Sequence, residues 1–546
     1  IATLASGSIF LRSFYYDALK ALLKIHPALS VDDEQLLGIL DKALDANVLT
    51  VSSRKLYSFS NNDTRYALLT DLDPELKKQL YKQVAQFLEE NILPHSEESV
   101  FDIARHYDYA GEYHHSMNYY VKAARLTDNG MYSDRQAETY YRKALLRLKN
   151  LPQDQQPGSE IQFEIRYNAL KHTQYLTREY DQLWQELQEI EPWIEDDRIR
   201  KIKFISSQMS LSFARGKKSD MLRYGQTLLS MDFTDEEEAC AVDSILMLGT
   251  VVSEKTYQER LDFLKYGISI ALKHKLFHLM IGPVTAFAIL SGYLLKFKEA
   301  EEYIEQCLAD LDETGLELFR QLVRYWSLQS LEQERGNFQK ALDYGNKLSE
   351  HLDLVGPIGL SIYQGAMALS HGMLGNYAES LQLYEKLIPD KDNAAQRVEA
   401  LSVYFGRILV ALRMKEPETA LNYYETARAV VDMRPDPYVE AMLEGLAAKA
   451  NLELMQLSEA DIHLKRAKEI AKDLETPLLD YHLKFAGLQQ DWLQSSDSGF
   501  IEQAYHLIEN MLSDGVAGYY EIYKEEVDNW KVHPMQSSAS DVLNST

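Results

Sequence analysis

His274 and His278 stand four residues apart, the closest this sequence comes to a metal-ligand pair. On one helical face, two histidines at that spacing supply the first two donors of a metal site. No carboxylate or cysteine stands beside them as a third, so the pair reads as packing or solvated side chains. His114 and His115 are adjacent and point to different sides of a helix, which argues against a chelate. Cys240 and Cys307 both fall in apolar, helical surroundings, and two thiols build neither a disulfide framework nor a zinc finger. They read as small buried hydrophobes in a reducing compartment. No Gly-x-x-x-x-Gly-Lys-Ser/Thr loop is present to cradle a phosphate, and no Gly-x-Ser-x-Gly elbow or His-Glu-x-x-His pair to present a nucleophile or a zinc site. With 83 Asp and Glu, paired acids occur throughout, and none is set apart as a catalytic dyad. The sequence therefore calls for no catalytic residue, metal or cofactor.

Binding is the chemistry that remains. The formal net charge of −26 argues against a broad surface for nucleic acid or anionic lipid. No run reaches the roughly 18 apolar residues of a membrane span. Arginine and aromatic side chains are the usual anchors of a protein or peptide groove. The candidates of those types on the expected first helices of a repeat array are Arg320, Arg324, Trp326, Gln364, Tyr404 and Arg407. Tyrosine is abundant, at 35 residues, and most tyrosines fall where repeat packing accounts for them.

The elements that must carry those residues are set by one recurring figure. Gly375-Asn376-Tyr377 is followed by Ser380 and Tyr384, and Gly336-Asn337-Phe338 by Ala341 and Tyr344. Looser versions occur at Phe297 with Ala300, and at Pro417 with Ala420 and Tyr424. Marks at Tyr180, Ser219, Tyr257, Phe297, Phe338, Tyr377, Pro417, Leu457 and Phe500 are spaced by 39, 38, 40, 41, 39, 40, 40 and 43 residues. A fixed period of this size signals a stack of helical hairpins, each burying its apolar face only against its neighbours. The expected fold class is all-α, a tetratricopeptide-like α–α superhelix of roughly 40-residue hairpins. First helices are expected near 161–177, 200–214, 239–253, 278–294, 317–334, 358–373, 397–413, 438–454 and 478–494, with a closing helix through Tyr519, Tyr523 and Trp530. Small residues at Ser116, Ala300, Ala341, Ser380, Ala420 and Ala460 let helices approach, and Tyr120, Tyr384 and Tyr424 fill the space between units.

The first 95 residues differ. Phe14 to Ile25 reads as a helix ending near Pro27. Asp32 to Glu34 opens a second, with acids where the helix dipole favours them. Val48–Val51 and Leu56–Phe59 alternate as a β-hairpin around Ser52-Ser53. Asp73-Pro74-Glu75 starts a further helix, with proline at its first position. Residues 1–95 are thus expected as a small winged-helix-like domain, 96–158 as the first helical hairpins and a loop, 159–532 as the repeats, and 533–546 as a flexible tail. The first 95 residues hold 10 Lys and Arg against 12 Asp and Glu, so no basic face favours DNA.

Ile9-Phe10, Leu19 to Leu23, Asp33-Glu34-Gln35-Leu36-Leu37, Leu44 to Leu49 and Tyr57-Ser58-Phe59 together resemble the winged-helix segment of signal-transduction ATPases with numerous domains, the STAND class. Maltose-operon-activator-like and cyclase- or kinase-linked regulators belong to it. Asp73-Pro74-Glu75-Leu76, Ile103-Ala104-Arg105-His106-Tyr107 and Ala110-Gly111-Glu112-Tyr113 fit the same pattern. The resemblance covers about the first 150 residues. It implies an ATPase domain upstream, so that this chain is a fragment of a longer cytoplasmic regulator. The family commonly carries a histidine just after the Phe59 position; here Ser60, Asn61 and Asn62 follow and read as a plain turn. The expected function is a regulatory sensor binding a protein, a peptide or a small inducer. The alternatives are a passive scaffold for complex assembly and a DNA-binding regulator acting through the winged helix.

Overall fold

The structure, a computed structural model, describes residues 2–11, 13–24, 31–52, 56–91, 96–128, 134–171, 178–194, 196–214, 217–251, 256–312, 317–352, 357–387, 394–431 and 436–532. The expected tail at 533–546, the helix stop at Pro27 and the turn residue Ser53 lie outside them. The chain divides into two compact units, residues 1–197 and residues from 198 onward.

In the first unit, strands β1 (Ser13–Tyr15), β2 (Leu49–Val51) and β3 (Leu56–Phe59) form an antiparallel sheet in the order β1-β3-β2, with Phe14 opposite Tyr57 and Thr50 opposite Ser58. The expected hairpin is the β2–β3 pair. Helix Tyr16–Leu23 begins later than expected, because Phe14 and Tyr15 are taken into the sheet. Helix Asp33–Asp45 opens on a capping box: Asp32 Oδ1 accepts from the Gln35 amide at 2.8 Å, and Gln35 Oε1 accepts from the Asp32 amide at 3.3 Å. The core beneath is made by Ile9, Phe10, Phe14, Leu19, Leu23, Leu36 and Leu40.

The Ser60–Asn62 turn is corrected. Asn61 caps a helix, Asn62–Thr70, its Oδ1 accepting from the Thr64 amide at 2.7 Å. Asparagine serves turns and N-caps by the same side-chain acceptor, so the local sequence did not separate them. This helix buries Arg65, whose Nε donates to the carbonyls of Ser8 at 3.0 Å and Phe10 at 3.1 Å. Beyond it the unit is helical through Pro74–Asn91, Glu97–Ala110, Tyr113–Asp128, Asp134–Asn150, Ser159–Lys171 and Arg178–Gln188.

The second unit is an array of tetratricopeptide-like helical hairpins. Its second helices Tyr257–Lys273, Phe297–Asp312, Phe338–Ser349, Tyr377–Glu385, Pro417–Val431 and Leu457–Ala471 each begin on a mark residue. Ser219 and Phe500 stand second in Lys218–Leu229 and Gly499–Ser513. The first helices are Arg198–Ala214, Asp235–Val251, Ile281–Tyr293, Glu317–Glu334, Pro357–Met373, Ala394–Arg413, Pro437–Glu453 and Pro477–Ser495.

Five of the elbows share one geometry. Two residues before the mark, the backbone takes a left-handed conformation at Leu295 (φ 58°), Gly336 (80°), Gly375 (88°), Lys415 (60°) and Met455 (60°). The next amide reaches back five residues: Asn337 to the Glu332 carbonyl at 2.8 Å, Glu416 to Ala411 at 2.9 Å, Gln456 to Asn451 at 2.9 Å. This is the Schellman ending of a helix. The glycine of the sequence figure is thus dispensable; the left-handed residue is the constant, and three elbows set a side chain there. The small residues expected at the crossings, Ser116, Ala300, Ala341, Ser380, Ala420 and Ala460, are buried, as are Tyr120, Tyr384 and Tyr424.

Candidate ligand-binding groove

Within the second unit, the array curls far enough that helices distant in sequence touch. The Tyr257 hydroxyl donates to Asp436 Oδ1 at 3.1 Å across 179 positions. Arg260 Nη1 stands 3.6 Å from Asp436 Oδ2, while its Nε donates to the Gly249 carbonyl at 3.2 Å and its Nη2 to Thr250. Tyr293, at the end of its helix, stacks on Tyr438, with centroids 3.6 Å apart and planes 12° apart. Tyr257 meets both rings edge-on, at 5.8 and 6.2 Å.

Helix Ala517–Val532 packs against residues of several earlier hairpins. Gly518 donates its amide to the Arg335 carbonyl at 3.3 Å. A Cβ on Gly336 would meet the Tyr519 amide nitrogen at 2.6 Å, and one on Gly518 the Gly336 carbonyl oxygen at 1.9 Å. Only a glycine pair lets the two backbones meet so closely. Further along, Tyr523 stacks on Phe485 at 4.0 Å and Trp530 on Trp492 at 5.2 Å, while His482 Nδ1 pairs with the Tyr523 hydroxyl at 2.5 Å. Lys449 holds Glu526 at 2.6 Å, and Arg413 holds Glu525 at 3.1 Å. Burial, with the Lys449 charge adding, pushes the His482 imidazole down to about 3, so it is neutral.

Glu334 sits between these elements. It is the last residue of its helix, where a carboxylate opposes the helix dipole. Its Cβ would be 2.5 Å from a Cβ on Gly292, directly beside Tyr293. Its charge raises the phenols of Tyr293, Tyr438 and Tyr519, each already raised by burial. The neighbouring guanidinium of Arg335 is engaged elsewhere, with Glu301 at 2.9 Å and Glu332 at 2.8 Å. Among the described residues Glu334 has neither a hydrogen-bond partner nor a counter-charge, and burial pushes its carboxyl up to about 8. Tyr293, Glu334 and Tyr519 each keep part of their surface open to solvent.

No protein-family model matches the sequence, and no curated protein does. Three of the solved structures to which the chain is similar follow. One is a Rap protein complexed with competence and sporulation factor, with TM-score 0.46 and 11% identity over 67% of this chain and 99% of that chain. Another is the APC/C hetero-tetramer Cut9-Hcn1, at 0.45 and 12% over 93% of this chain and 98% of that chain. The third is a signal-transduction ATPase with numerous domains and a tetratricopeptide repeat sensor from Pyrococcus horikoshii, at 0.28 and 12% over 98% of this chain and 65% of that chain.

The six residues picked from sequence fall on three first helices. Arg320 and Arg324 are partly exposed and held by acids, Glu317 at 2.7 Å and Glu305 at 2.6 Å. Trp326 is a correction: it is buried among Leu322, Leu342, Leu348, Tyr363 and Met367, because its helical register turns it into the hairpin core and away from a groove. Gln364 is partly buried on Pro357–Met373. Tyr404 packs against the cluster around Ile408 and Tyr424, while Arg407 is buried with its guanidinium 5.1 Å from the Tyr423 ring centroid and 5.8 Å from that of Tyr384.

The histidine pair is corrected too. Helix Tyr257–Lys273 ends before His274, and Lys275 turns left-handed at φ 57°, so His274 and His278 share no helix face. Cys307 is buried and Cys240 partly so, and burial pushes the Cys307 thiol up to about 12 despite the Tyr303 hydroxyl beside it. Among the described residues no group of three His, Cys, Asp or Glu side chains is placed to hold a metal, and no helix is long and apolar enough to cross a membrane. Tyr293, Glu334, Tyr438, Tyr519 and His482 were missed by sequence reasoning. One signal was available: an acid at the C-terminal end of a helix, where lysine or arginine is favoured.

Proposed function

We propose that this chain is the sensor region of a signal-transduction protein, and that the inner face of its helical array binds a protein, peptide or small inducer. What supports this reading is the seat of Ala517–Val532: the array already holds one helix through tyrosine, histidine and tryptophan rings. Helix-in-groove recognition uses contacts of that kind. In this reading Arg320, Arg324, Gln364, Tyr404 and Arg407 flank the bound partner. The helix–helix–hairpin segment in residues 1–95 is a winged-helix-like linker to an upstream nucleotide-binding domain, by resemblance to the STAND class.

The test is ligand-dependent change. Solution scattering and thermal stability of the full chain, measured across candidate peptides, inducers and nucleotides, should shift with at least one of them. Fixed scattering and melting, with a protein partner still bound, would replace the sensor by a passive scaffold.

A further inference from the structure

We infer that the surface around Glu334 is a binding site for an organic cation, an alkylammonium or guanidinium group, caged by the rings of Tyr293, Tyr438 and Tyr519. This deepens the sensor reading and rests on it for the use made of the site.

Tyrosine faces carry the negative end of the ring quadrupole, and cations over several such faces are held best where water is excluded. Here the Tyr293–Tyr438 stack forms one wall, and Tyr257 backs it edge-on, its own face taken by the Arg260 guanidinium at 4.7 Å. Tyr519 forms another, brought in by the glycine contact of Gly518 with Gly336 and braced by Phe338 at 5.8 Å. A tyrosine cage with no acid would attract cations weakly; this one contains a carboxyl group that an entering cation would ionise.

The accounting of charges makes Glu334 the distinctive member. Asp436 has Arg260, and Glu332 has Arg335 and Lys340. Glu526 has Lys449, and Glu525 has Arg413. Glu334 alone of this group has no cation among the described residues. A carboxyl group enclosed by rings costs stability as an anion, and that cost is removed when a cation enters. Tyr293, Glu334 and Tyr519 each still reach solvent, so an ammonium group can approach them from water.

The full chain is titrated with butylammonium, N-acetyl-lysine methylamide, N-acetyl-arginine methylamide and the uncharged N-acetyl-norleucine methylamide, and binding is followed by NMR line shifts and calorimetry. The cationic probes are expected to bind and norleucine not to. Glu334→Gln keeps the shape of the side chain and should weaken the cations at least about tenfold, and Tyr438→Leu by about three- to tenfold. Glu379→Gln, an exposed acid elsewhere on the array, should leave binding unchanged. Tighter binding of the lysine and arginine amides than of butylammonium identifies a peptide side chain as the source of the cation, and the reverse a free amine. A folded Glu334→Gln variant binding cations as wild type does, norleucine binding as tightly as lysine, or no cationic probe binding at about 10 mM, a few kcal/mol at most, overturns the cage. If the cations fail while another ligand still shifts scattering, the cage falls and the sensor stands. If they bind without any shift in scattering or melting, the cage stands and the sensor reading loses its support.

Discussion

Lys415 and Met455 hold left-handed backbones that glycine adopts at no cost, each two residues before a second helix. Replacing either with glycine should stabilise the chain by about 1 kcal/mol, by relieving the contact of Cβ with the carbonyl oxygen. A lower denaturation midpoint in Lys415→Gly would show that the lysine side chain, 3.4 Å from Glu453, matters more than its backbone. The tyrosines of one figure divide in the same physical way. Tyr384 is fully buried with a hydroxyl that has no partner among the described residues, while Tyr377 is partly buried and donates to the Arg413 carbonyl at 3.1 Å. Tyr384→Ala should therefore cost about 3–5 kcal/mol and Tyr377→Ala roughly half that. Tyr384→Phe should be neutral or stabilising, because it removes an unsatisfied buried group. Equal losses at 377 and 384 would overturn this ranking. What the sequence did not reveal at this scale is direction. Trp326 and Tyr404 are both aromatics on first helices, and residue type does not say that the first is buried in the hairpin core and the second only partly covered.

Among elements, the hairpins were legible because their signal is local. A helix stop, a mark and a small residue lie within a few positions of one another and repeat. Helix Asn62–Thr70 was not legible, since its cap Asn61 offers the same acceptor that a turn would use. Nor was the placement of Ala517–Val532. Its partners Gly336, Arg413, Lys449 and His482 are scattered over earlier hairpins, and no periodicity links them to it. The glycine contact gives a direct test. Gly518→Ala puts a methyl group onto the Gly336 carbonyl and should cost about 1–3 kcal/mol while loosening that helix. Limited proteolysis should then cut within 517–532 first; a cleavage pattern identical to wild type would refute the close packing.

For the whole molecule, buried titratable groups pull stability in opposite directions. His106 is held down to about 4 by burial, with Arg105 and Arg65 adding to it, and His482 to about 3. The unfolded chain protonates histidine near 6.5, so below about that pH it binds more protons than the folded chain, and stability falls as pH drops from about 6.5 toward 4. Glu334 acts oppositely. Folded, it keeps its proton to about 8, whereas the unfolded chain releases it near its ordinary value. Stability therefore falls as pH rises across that interval, by at most about 1.4 kcal/mol per unit. Urea unfolding at pH 5, 6.5 and 8 should show Glu334→Gln gaining on wild type as pH rises. Parallel curves would mean that Glu334 is solvated.

The long-range closure also bears on how such a protein can change over generations. An open solenoid gains or loses a unit cheaply, since each unit touches only its neighbours. Here Tyr257 must find Asp436, and Gly336 must find Gly518, across a fixed number of hairpins. Duplicating or deleting one hairpin between them would shift every one of those pairs out of register at once. The copy number of this array is accordingly locked, and its descendants are expected to vary in side chains and loops while keeping the count of hairpins between the two contacts.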